Sequence, residues 1–252
     1  MKKLLLVLLL LGGSFQWAFA AIRAEVNVME ATENIRYLSQ RITRNYLYLY
    51  ANPLKKEVES QIRKDLEELV ASIRTISMST SDEDTKNILE FLTYSKDQIS
   101  ELIKAKPDKQ KAALMLDYSE TLLEGANSIA AAHRYAFGES EKMLIQSKNI
   151  EYLTERSAKY YIALGVGLGS EVNRQQMNHA LQDLETTLKG VLQHQYPSSM
   201  GNDTKALESI WNVRKNLYLR RKKVFVSNLV VLSTEEMENL AGHFVDYYRK
   251  NQ

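Results

Sequence analysis

The residues of this chain whose types and spacing could do chemistry are arginines, amides and tyrosines that occur twice in the same pattern. Asn34, Tyr37, Arg41 and Tyr46 recur at one constant offset as Asn149, Tyr152, Arg156 and Tyr161, together with Ile35/Ile150, Leu38/Leu153 and Leu49/Leu164. Guanidinium and amide groups donate several hydrogen bonds at once, to carboxylates, carbonyls or a bound anion. Asn34, Arg41, Asn149 and Arg156 sit on one edge of each copy, so we expect them to form an interhelical polar network that fixes register. Arg36 departs from the duplication, since its counterpart is Glu151.

Other chemistry is weakly signalled. His133, His179, His194 and His243 have neither i, i+4 pairing nor metal-ligand spacing, so no metal and no cofactor is expected, and they read as single surface histidines. Gly165-Val166-Gly167-Leu168-Gly169-Ser170 lacks the Gly-Lys-Ser/Thr ending of a phosphate loop and follows a helical pattern, so it reads as a helix stop and cap. Arg220-Arg221-Lys222-Lys223 is a local basic cluster beside Val224-Phe225-Val226. No nucleophile, base and orienting residue assemble from the pattern, so no catalytic residue is named and the chain is read as a non-enzyme.

The elements that must position these groups are helices. At roughly 100° per residue, Ile35, Leu38, Ile42, Tyr46 and Leu49 form one apolar stripe that needs a partner. The second copy keeps this stripe, with Ser157 as its polar exception. Pro53, Pro107 and Pro197 are the only prolines, each placed where a helix should end, and no stretch reads as a strand. Helices are predicted at about 22–51, 54–77, 82–105, 108–136, 139–165, 170–192, 203–229 and 234–250, with capping boxes at Thr80-x-x-Glu83 and Ser233-x-x-Glu236. Asp65-Leu66-Glu67 recurs as Asp183-Leu184-Glu185, and Asp84-Thr85-Lys86 as Asp203-Thr204-Lys205.

The fold expected is therefore all-α, with tandem up-and-down four-helix bundle repeats after a cleaved signal peptide. Residues 1–20 carry Lys2-Lys3, the apolar run Leu4 to Leu11 and an Ala18-Phe19-Ala20 cleavage site, which predicts export to the periplasm and cleavage after Ala20. The first repeat spans 21–137 and the second 138–252, joined near Phe137-Gly138-Glu139. Without Lys2 and Lys3 the 33 basic residues fall into balance with the 31 acidic ones, which gives no electrostatic reason to bind nucleic acid. The absence of cysteine excludes disulfides and thiolate chemistry.

Arg36-Tyr37-Leu38-Ser39-Gln40-Arg41 resembles the R-M-L-S-Q-R core of the helix that opens PilJ-type sensor domains, a module related to the periplasmic part of NarX-like nitrate/nitrite sensors. Asn173 to Val191 resembles the second helix of that family, and Ile210-Trp211-Asn212-Val213-Arg214 its W-x-x-Y-R region. The resemblance implies two tandem sensor modules that signal through a membrane-bound receptor or envelope partner. It also implies an anion site, for nitrate or nitrite, on Arg36, Ser39, Gln40 and Arg41. Facing arginines would favour an anion between them, whereas Arg36 facing Glu151 would be neutralised. Pairing of the two opening helices within one chain predicts loss of the anion site, and pairing in a homodimer predicts its survival. The competing expectation is a structural or adaptor protein of an envelope complex that binds no small molecule.

Overall fold

In the computed structural model the described residues are 2–133, 138–220 and 225–251, with side chains described for 25–133, 138–219 and 225–251. They form eight α-helices: α1 (Lys2–Ala51), α2 (Glu57–Ser79), α3 (Glu83–Leu102), α4 (Lys109–Ala132), α5 (Glu139–Gly165), α6 (Glu171–Gln193), α7 (Gly201–Arg220) and α8 (Ser227–Lys250). A 3-10 turn, Ser198–Met200, precedes α7. The described residues contain no strand, so the chain is all-α. Among them, no helix is long and apolar enough to cross a membrane. The side chains of the expected leader, most of the basic 220–223 cluster and Phe137 of the expected joint lie outside the described residues.

Local chemistry sets the breaks. Asp82, Asp108 and Ser170 cap α3, α4 and α6 by accepting from the backbone N–H of Thr85, Lys111 and Asn173. The cap of α3 is thus Asp82 and not Thr80. Gly167 leaves α5 with a positive φ of 83°, a conformation that suits glycine. A side chain at Gly165 would meet the Phe225 ring at 2.0 Å, so that close approach also needs glycine.

The expected boundary between the last two helices is wrong. Phe225 and Val226 are outside any helix and α8 already begins at Ser227, so Ser233 lies in its second turn. The Ser233 and Thr234 hydroxyls donate to the Val230 carbonyl and face the fully buried Arg214, whose guanidinium donates to Thr234 Oγ1 at 2.6 Å. A hydroxyl committed to a buried arginine is unavailable as a cap. Arg214 also reaches the Ser157 hydroxyl at 3.2 Å, which explains the one polar residue in the second stripe.

Helix α1 packs on α2, α4 and α5, and α5 on α6 and α8, while α3 covers α4 and α7 covers α8. The α1–α5 contacts pair Asn34 with Lys148, Arg36 with Asn149 and Arg44 with Glu155, in rising order on both helices. The two helices therefore run parallel. Their neighbours run against them: Glu25 and Thr43 of α1 meet His133 at the end of α4 and Met115 within it, and Gln146 and Arg156 of α5 face Gly190 and Gln176 of α6.

Buried positions recur at the offset of the first-helix match. Ile62, Leu69, Ile73 and Ile76 on α2 correspond to Met177, Leu184, Leu188 and Val191 on α6. Met115, Leu122, Ala126 and Ile129 on α4 correspond to Val230, Met237, Ala241 and Phe244 on α8. Apart from the two alanines, each such side chain contributes about 1.5–3 kcal/mol when fully buried. In this register Asp65 is matched by the buried Ala180, whereas Asp183 is exposed. The Asp-Leu-Glu match is a coincidence of sequence, because it would place a buried carboxylate on a solvated face.

Candidate functional site

The α1–α5 seam has two sides, one walled by α2 and α8 and the other by α4 and α6. At its centre Arg44, buried, donates to both carboxylate oxygens of the fully buried Glu155, at 2.5 and 2.8 Å. Burial pushes the Glu155 carboxyl up, but the Arg44 guanidinium outweighs this and holds it below the usual carboxylate range. Glu238 of α8 lies hydrogen-bonded to Glu155 and is pushed well up, first by burial and then by the Glu155 charge. Glu238 therefore carries the proton that these two carboxyls share.

On the α2/α8 side the seam opens into two cavities, about 550 and about 770 Å³, that share Tyr37, Glu151, Gly242 and Asp246 in their walls. Burial pushes the Glu151 carboxyl up to about 7, against the opposing pull of Lys148 and Arg249. Those cations have other partners. Lys148 donates to Asn34 Oδ1 at 2.9 Å, and Arg249 lies 3.5 Å from Glu30. Arg41 donates to the Tyr37 hydroxyl and lies 3.3 Å from Asp65. Asp65 stays above its ordinary value because its burial outweighs Arg41. Glu238 Oε1 and Arg41 Nε are buried without a hydrogen-bond partner.

On the α4/α6 side the charges are paired. Glu120 of α4 accepts from Arg156 at 3.0 and 2.8 Å and from Lys159 at 2.5 Å, and Gln176 of α6 accepts from Arg156 at 2.7 Å. Burial raises the Glu120 carboxyl, but Lys159 and then Arg156 outweigh it and hold the group down at about 2. Lys159 is fully buried, and that burial pulls it down to about 8 in spite of Glu120.

Arg36, Ser39, Gln40 and Arg41 do not converge. Arg36 donates to both oxygens of Glu33 at 2.8 Å and to Asn149 Oδ1 at 3.0 Å, and its guanidinium stacks 4.4 Å over the Tyr152 ring, near Arg156. Its counter-ion is thus Glu33 and not Glu151. Ser39 and Gln40 are sealed in the seam, where the Gln40 amide donates to the Ser39 hydroxyl. Arg41 alone of the four lines the open side. Asn34 and Asn149 each bridge α1 to α5, whereas Arg41 and Arg156 turn to partners on other helices.

The histidines separate. His133 is not a surface residue: it is buried between Glu25 at 2.8 Å and Thr85 at 3.0 Å. His243 is exposed beside Asp203. Among the described residues no group of three or more potential ligands could hold a metal ion. Sequence reasoning missed Glu120, Glu155 and Glu238 because their partners lie on distant helices. The only local signal was the Arg44/Lys159 and Gln40/Glu155 correspondence at the constant sequence offset.

No family model, curated protein or solved structure matches this chain.

Proposed function

We propose that this protein is a non-enzymatic binding and sensing module, a tandem of two four-helix units of PilJ/NarX-like type, which takes a small polar ligand in the cleft between α2 and α8. The common burial register of the two halves supports the tandem reading, and the sequence resemblance supports the sensor class. The leader pattern supports export to the periplasm, with signalling through a membrane-bound partner.

The observation that carries the binding reading is Glu151: a partly buried carboxyl lining two cavities, pushed up to about 7 by desolvation that Lys148 and Arg249 do not offset. Glu235 and Asp246 add negative charge to the same cleft, Glu238 adds a proton donor, and Arg41 and Arg44 in the wall are already held by Asp65 and Glu155. Such a lining selects a cationic or zwitterionic ligand over nitrate. The anion reading is weakened by Arg36, whose guanidinium is already held by Glu33 and Asn149.

Titration calorimetry of the purified protein with spermidine, lysine, nitrate and nitrite tests this. Saturable binding of a cation, lost in Glu151→Gln, is the expected result. Nitrate binding lost in Arg36→Ala would restore the anion sensor. Silence from all four ligands at millimolar concentration would favour an envelope adaptor that binds no small molecule.

A further inference from the structure

A further cavity, of about 610 Å³, lies at the end of the first half, between the α1–α2 and α3–α4 connections, and shares no lining residue with the cleft. Its walls are largely apolar, with Leu49, Pro53, Ile62, Leu66 and Ile103 among them. Tyr46 lines it and is 1% exposed, yet its hydroxyl has no hydrogen-bond partner. An unpartnered buried hydroxyl is costly and calls for an explanation.

The second half supplies an internal control. The counterpart of Tyr46 is Tyr161, and there the equivalent place is filled by the chain itself. The Phe225 ring stacks on Tyr161 with centroids 5.8 Å apart, and the Val226 N–H donates to the Tyr161 hydroxyl at 3.2 Å. An apolar group and a polar partner for the tyrosine thus arrive together from the segment before α8. The segment before α4, Lys104-Ala105-Lys106-Pro107, brings no aromatic side chain and leaves the cavity open.

The rim states the charge of what is missing. Arg63, Lys104 and Lys106 line the cavity against Glu59 in its wall and Asp108 close to the Tyr46 hydroxyl. The Tyr46 hydroxyl feels the carboxylate of Asp108, which places it towards the α3–α4 end, where Lys106 and Pro107 stand. Burial, and then Asp108, push it up to about 12, so it remains a proton donor at neutral pH. A donor and a lysine at one end, with apolar walls beyond, match the head and tail of an anionic amphiphile.

We propose that this cavity binds a small apolar carboxylic acid, of the medium-chain fatty acid class, with its carboxylate on the Tyr46 hydroxyl and Lys106 and its tail against Leu49, Ile62 and Leu66. The site is independent of the α2/α8 cleft and does not require the cleft to bind anything.

The test is calorimetric titration of the full chain with octanoate, with octylamine as the charge-reversed control. We expect one octanoate per chain, no saturable octylamine binding, and at least tenfold weaker octanoate binding in Tyr46→Phe, the loss of one hydrogen bond to a charged group. Tyr46→Phe deletes only an unpartnered hydroxyl, so its melting temperature should stay at or above that of the parent and a folding defect will not mimic lost binding. Lys106→Glu should abolish binding, and Phe225→Ala should raise the stoichiometry towards two. Octylamine binding as tightly as octanoate, unchanged affinity in Tyr46→Phe, or no saturable heat at millimolar octanoate would each overturn the proposal. Recruitment to phosphatidylglycerol vesicles without octanoate binding would also overturn it, in favour of a lipid surface.

Discussion

The two sides of the α1–α5 seam are built from equivalent positions and differ in how their charges are met. On the α4/α6 side Arg156 and Lys159 converge on Glu120, and Arg36 is paired with Glu33 and Asn149. On the α2/α8 side the equivalents of Arg36 and of the apolar Leu123 are the acids Glu151 and Glu238, and neither has a full counter-charge. A closed network holds two helices in register, whereas an open and unbalanced one is suited to a ligand. One helical scaffold therefore carries a structural side and a candidate binding side.

The largest effect should come from opening the closed side. Glu120→Ala leaves Arg156 and the fully buried Lys159 without their carboxylate, and a loss of about 3–5 kcal/mol is expected in chemical denaturation. The pH dependence follows from the depressed Glu120 group. Its stabilisation is complete above the ordinary carboxylate value near 4.5 and is lost as pH falls through about 2. Acid titration of the parent and of Glu120→Ala should converge at the bottom of that window. Parallel curves down to pH 2 would show that Glu120 is not the clamp.

The open side should respond with the opposite sign. Glu151 is raised from 4.5 to about 7, so the folded state binds the proton more tightly and stability falls as pH rises through that interval. Glu151→Gln should stabilise the protein by up to about 3 kcal/mol at pH 8, from the size of that shift. Below pH 4.5 it should have little effect. A destabilised Glu151→Gln at pH 8 would mean that Glu151 is compensated as well as Glu120 is.

Phe225→Ala sharpens the same contrast at the ends of the two halves. The ring is 41% exposed, so its loss should cost only about 1–2 kcal/mol in a thermal melt, less than a fully buried phenylalanine. Arg36→Ala should also cost about 1–2 kcal/mol, since it leaves the nearly buried Glu33 without its counter-ion and breaks the bridge to Asn149, while the guanidinium itself is partly exposed. A loss several times larger in denaturant would make Arg36 a second clamp of the seam.

Much of the helical framework was legible. Pro53, Pro107 and Pro197 mark breaks between helices, and the Gly165–Ser170 stretch is a stop followed by a cap, because proline geometry, glycine freedom and hydroxyl capping act within a few residues. The boundary before α8 was misread for a local reason: Ser233-x-x-Glu236 has the form of a capping box, but a distant arginine claims the hydroxyl. The Asp65 alignment failed likewise, since a three-residue match carries less information than a burial register running along whole helices.

By itself, the sequence determined that the chain is helical, where most helices begin and end, and that Ile35, Leu38, Ile42 and Tyr46 and their counterparts form buried stripes. These follow from periodicity and backbone chemistry, which are short-range. Only the tertiary structure decided that α1 and α5 lie parallel, that Glu155 meets Arg44 and Glu120 meets Lys159, and that Glu151 and Tyr46 are left without a full partner. The energy of a buried charge or hydroxyl depends on distance and local dielectric. The groups that set both here come from helices some 20 to 110 positions away, a separation that no local pattern encodes.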